Sequence, residues 1–125
     1  MDLTREQILN MTAQELAEAT AVHVMGWSVG EHPEVNGTGQ WMVEYEFPVY
    51  FKKDGAFICW DEWNPAEDIR DAREIEVRIA ECIGNRASYV VQLRQVVGEY
   101  SSMFDLIHAN PEQRCRAALL AVKGL

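Results

Sequence analysis

The stretch Tyr89-Val90-Val91-Gln92-Leu93-Arg94-Gln95-Val96-Val97-Gly98-Glu99-Tyr100-Ser101-Ser102-Met103-Phe104-Asp105-Leu106-Ile107-His108 decides the fold. Both halves are read at strand period, and Gly98-Glu99 supplies a turn between them. Read in this way, Tyr89–Val97 and Tyr100–His108 are the two arms of a hairpin. An earlier hairpin stands upstream. Trp41, Val43, Tyr45 and Phe47 alternate with Met42, Glu44 and Glu46, the period of a strand with one wet face. Pro48 bends that strand or places it at a sheet edge. Val49-Tyr50-Phe51 resumes it, Lys53-Asp54-Gly55 turns the chain, and residues 56–60 return.

Helices occupy the remainder. Thr4-x-x-Gln7 and Thr12-x-x-Glu15 are capping boxes, and the second opens a helix from Ala13 to Met25, with Gly26 ending it. Leu16, Thr20, His23, Val24 and Trp27 share one face of that helix, while Ala21, Val22 and Met25 fall outside it. Such a helix must be covered from more than one side, by its own domain or by a second protomer. Residues 28–39, with three glycines and a proline, read as a loop. Asn64-Pro65-Ala66-Glu67-Asp68 has the form of a helix start, with Ile69, Ala72, Ile75, Ile79, Cys82 and Ile83 as the buried stripe and Gly84 as the stop. Glu74 is spaced to pair with Arg78. Asn110-Pro111-Glu112 repeats the start signal before a last helix to Lys123, whose stripe is Cys115, Ala118, Leu119 and Val122. The expected architecture is α+β, in the order α-β-β-α-β-β-α, with a four-stranded antiparallel sheet packed between helices and one domain over residues 1–125.

Composition narrows the function classes. With 125 residues, 48% of them hydrophobic, the chain has enough material for one ordinary core. The absence of a long apolar run and of a signal-like N-terminus leads to the expectation of a cytoplasmic protein with no membrane contact. Cys59, Cys82 and Cys115 lack the spacing of a zinc site or disulfide framework and read as small hydrophobes, so no metal and no cofactor is expected. The net charge of −9 is uneven. Residues 31–81 hold thirteen acids against five bases, whereas residues 82–125 hold five bases against three acids. Duplex nucleic acid would repel such a chain, which argues against direct nucleic-acid binding, and any anion site belongs in the last third.

No nucleophile elbow, phosphate loop or metalloprotease motif is present, and His23, His32 and His108 lie scattered. The reading is therefore of a binding protein, not an enzyme. Arg94, Arg114 and Arg116 are the candidate phosphate ligands, because guanidinium forks offer paired planar donors. Tyr89, Tyr100 and Phe104 are the candidates for stacking a base. Arg114 and Arg116 stand about 200° apart around a helix, so both could reach one ligand only across an oligomer interface. The plainer alternative is an arginine paired with an acid and another left in solvent. Val22 and Met25 point to self-association through the first long helix.

Three segments together resemble a known family: Arg5-Glu6-Gln7-Ile8-Leu9-Asn10-Met11, Val24-Met25-Gly26-Trp27 and Arg114-Cys115-Arg116-Ala117-Ala118-Leu119-Leu120-Ala121. The chain is similar in these to the phage ABA-sandwich domain family. That resemblance implies a sheet sandwiched between helices and a phage or prophage source, and it brings no catalytic residues. By analogy with small phage proteins of this size, the expected function is a homo-oligomeric anti-defence sponge that sequesters a small nucleotide-derived signal in the host cytoplasm. Two alternatives stay open: an acidic inhibitor of a host nucleic-acid-acting defence enzyme, and a phage structural or assembly protein.

Overall fold

A computed structural model describes residues 3–30 and 49–125. The alternating strand read over 41–47 lies outside them. Two short capped helices come first, α1 (Arg5–Leu9) and α2 (Ala13–His23). Both capping boxes form as spaced: Thr4 and Thr12 each accept from the third helical N–H, and Gln7 and Glu15 reach back to the cap. Gly26, at φ +74°, turns the chain out of α2, and the Trp27 N–H donates to Ala21 O at 2.8 Å.

A three-stranded antiparallel sheet follows, in the order β1 (Ser28–Gly30), β2 (Val49–Phe51) and β3 (Phe57–Cys59). Tyr50 stands opposite Val29 on one side and Ile58 on the other. The predicted turn is present: Gly55 takes φ +91°, and Asp54 Oδ1 accepts from the Ala56 N–H at 2.9 Å. Ser28–Gly30, expected as loop, is a strand, because its backbone completes the β2 ladder. Tyr50, Trp27 and Trp63 then fasten the sheet to α2. The Trp27 and Trp63 rings meet edge-on at 4.7 Å, and Trp63 Nε1 donates to Ala17 O at 3.0 Å.

A 3₁₀ turn (Trp60–Glu62) leads to α3 (Ile69–Ala80), α4 (Ile83–Val97), α5 (Met103–Ile107) and α6 (Pro111–Val122). The helix expected from Asn64 begins later. Asn64 heads a turn, accepting from Asp68 N–H at 2.8 Å, and Asp68 is the cap. Gly84 does not stop a helix but lies in the first turn of α4, and the chain breaks instead at Glu81-Cys82. Ile69, Cys82 and Ile83, assigned to the buried stripe, are exposed; Ala72, Ile75 and Ile79 are buried as expected. Arg78 pairs with Glu81 at 2.5 Å, not with Glu74.

The largest correction falls on residues 89–108. They form no hairpin, so the four-stranded sheet and its α-β-β-α-β-β-α order give way to three strands among the described residues. Tyr89–Val97 is the body of α4, and Tyr100–His108 holds a loop and α5. Tyr89, Leu93, Val96 and Val97 recur at helical spacing and join the core, which an alternating strand would divide between two faces. Ser102-x-x-Asp105 is a third capping box, with Ser102 Oγ accepting from the Asp105 N–H and Asp105 Oδ2 accepting from the Ser102 N–H at 2.9 Å. Gly98, at φ +153°, ends α4 where a residue with a Cβ would be strained.

At the centre is α6. Cys115 and residues 117–121 are all buried, because α1, α2, α3 and α4 each pack against it. The expected stripe was narrower than the fact: this helix is enclosed on nearly every side, and its alanines let neighbours approach closely. Its Asn110-Pro111 start forms as read, with Asn110 Oδ1 accepting from the Gln113 N–H at 2.8 Å.

Candidate functional site

The six residues singled out as ligand contacts divide into two groups. Tyr89, Arg114 and Arg116 are committed to holding helices together. Arg114 Nη1 donates to Glu76 Oε2 on α3 at 2.8 Å, Nε donates to Ala109 O at 2.9 Å, and Nη2 donates to Ile107 O at 2.7 Å. The Tyr89 hydroxyl donates to the same Glu76 oxygen at 2.6 Å. Burial, and then the adjacent carboxylate, push that hydroxyl far up, so it stays a donor. One carboxylate thus ties α3, α4 and α6 together, with α5 attached through Ile107. Arg116 extends to the other side of α6, as the spacing required. It pairs with Glu112, and its Nη2 donates to Met11 O at 2.8 Å, pinning the α1–α2 connection.

Arg94, Tyr100 and Phe104 form the second group, and all three are exposed. Arg94 lies on the outer face of α4 and makes no ion pair among the described residues. It lines a groove of about 350 Å³ with Val90, Val91, Gln95 and Glu99. Glu99 also borders a second groove, of about 520 Å³, with Tyr100, Asp105 and His108. The two grooves therefore meet at the end of α4. Phe104 stacks on His108, with ring centroids 4.1 Å apart. Around them, Val90 is 50% exposed, Val91 55%, Tyr100 95%, Met103 68%, Phe104 67% and Ile107 63%. The sequence pattern puts Tyr100 and Phe104 on a hairpin arm. A loop and a short helix carry them instead, and that is why their rings stand outward.

A third groove, of about 350 Å³, lies between α2, α3 and the start of α4, where His23, Arg78, Cys82 and Asn85 converge. Nothing in the sequence marked it, since its residues come from distant elements. His23 was assigned to the buried face of α2 but is exposed there; partial desolvation, then Lys123, hold its imidazole below the ordinary value. Cys82 was read as a core hydrophobe, yet it is exposed at the N-cap of α4. Cys59 Sγ and the carboxylates of Asp61 and Glu62 lie within 4.8 Å of one another. Burial, and then Glu62, raise the Cys59 thiol, so it keeps its proton. Cys115 is the cysteine that fits the small-hydrophobe reading: it is fully buried, and burial pushes its thiol up to about 12.

These environments predict the thiol chemistry. A disulfide reagent at pH 8 should modify Cys82 at once and Cys59 more slowly, and should reach Cys115 only after denaturant is added. Rapid loss of the Cys115 thiol, followed by peptide mass, would show that α6 is not the closed centre described above.

Among the described residues no helix is long and apolar enough to cross a membrane. No family model matches the chain, and no match was found among curated proteins or solved structures.

Proposed function

We propose that this is a non-enzymatic binding protein whose working surface is the outer face of α4 and α5, and that it grips another protein chain there. One contrast carries this reading. The arginines of α6 that could clamp a phosphate are spent on internal contacts, whereas six large apolar side chains on adjoining elements stand in solvent. Apolar surface left out of a core, with aromatic, methionine and arginine members, is the composition of a protein interface. The rim is polar, with Glu99, Asp105 and Gln95 exposed around it.

A second reading keeps the small nucleotide-type ligand of an anti-defence sponge. The Phe104–His108 stack and the exposed Tyr100 support it, since they offer ring faces on the same surface as the unpaired Arg94. A photoreactive phenylalanine in place of Phe104, with a control at the exposed Glu18 of α2, separates the two in the cell that makes the protein. The first reading expects protein-sized adducts at position 104 and none at 18. Adducts of nucleotide mass would favour the second reading, and equal adducts at both positions would overturn the face itself.

A further inference from the structure

We infer that the chain occupying the α4–α5 face is a second copy of this protein, seated about a twofold axis at the groove of Arg94 and Glu99. The inference rests on the proposed working surface and names its partner. Area is the first argument. The six apolar residues, each half exposed or more, leave several hundred Å² of apolar surface per protomer, with Tyr100 and Phe104 as the largest contributors. A stable interface of standard size buries about that much from each partner.

Charge is the second argument. The chain carries −9 in total, and residues 1–81 account for more than all of it, because residues 82–125 hold five bases against three acids. The α4–α5 stretch, residues 83–108, holds Arg86 and Arg94 against Glu99 and Asp105, so two copies that meet there face each other across a segment of no net charge instead of an acidic one, which limits like-charge repulsion. Within this surface Arg94 and Glu99 line one groove without pairing to each other. An isologous contact repeats each residue pair twice, so a dyad through the groove sets Arg94 of each copy against Glu99 of the other. Glu99 lines both open grooves, which puts them side by side at the end of α4, where side chains of a facing copy would enter.

Sedimentation equilibrium on the full chain tests this. The wild type should show a mass near twice 14.3 kDa. Arg94→Glu and Glu99→Arg should each raise the dimer dissociation constant about tenfold or more, since each replaces two attractions with two repulsions. Mixing the two variants should restore the dimer, because every contact across the axis is then opposite in sign. Phe104→Asp, with helicity checked by circular dichroism, should be monomeric. A wild type that stays monomeric at every concentration would overturn the second copy and leave the face to a different protein. A dimer indifferent to Phe104→Asp would overturn the face as well.

Discussion

Trp63→Ala is expected to cost about 3–5 kcal/mol, a large share of the stability of a domain this size. Trp63 is 1% exposed and joins three parts of the molecule. Its ring packs edge-on against Trp27, its indole N–H is bonded to Ala17 O on α2, and its backbone ends the 3₁₀ turn just before Asn64 heads the turn to α3. Truncation removes the largest fully buried side chain among the described residues and leaves a cavity between the sheet and α2. Trp63→Phe should recover most of the packing but not the hydrogen bond, and so should cost less. Urea unfolding followed by circular dichroism measures both. A loss under 1 kcal/mol for the alanine variant would mean that the sheet is not seated on α2 as described.

Glu76→Ala is expected to cost about 3 kcal/mol, by a different route. Its side chain holds little apolar area, yet its removal leaves the Arg114 guanidinium and the Tyr89 hydroxyl without their shared acceptor. The Arg114 side chain is only 13% exposed, so water cannot fully replace the carboxylate. Glu76→Gln keeps an acceptor for Tyr89 and gives up the charge, and should fall between wild type and Glu76→Ala. The same cycle run on Arg114→Ala tests the link: in the double variant Glu76→Ala/Arg114→Ala the losses should not add. Additive losses would show that the two residues do not act as one tie.

Helix starts were legible in the sequence because a cap is a local device. Thr4, Thr12 and Asn110 each sit three residues before a partner side chain, and all three form as spaced. Ser102-x-x-Asp105 is the same device and forms as well, inside a stretch expected to be a hairpin arm. Val90, Val91, Val96 and Val97 favour strands on average, but propensity yields to packing when α6 offers a groove at helical period. Asn64-Pro65 failed in the opposite sense, since the start signal there makes only a turn and Asp68 takes the cap four residues on. The site was less legible than the fold. Which arginines are free depends on Glu76 and on the carbonyls of Met11, Ile107 and Ala109, and none of these can be paired with Arg114 or Arg116 by spacing alone. Exposure of Tyr100 and Phe104 followed only once their segment proved to be a loop and a helix.

The central position of α6 also sets a timetable for synthesis. The element that α1, α2, α3 and α4 surround is made after all of them. At ordinary translation speeds, residue 122 follows residue 23 by roughly 5–20 s. During that interval Leu16 of α2, and Ile75 of α3 once it is made, have no α6 to pack on, and the early helices persist only as well as their caps allow. A nascent chain that stops before Asn110 carries every wall of the core and nothing to fill it, so it should be handled by the cell as unfolded protein rather than as a shorter version of the domain.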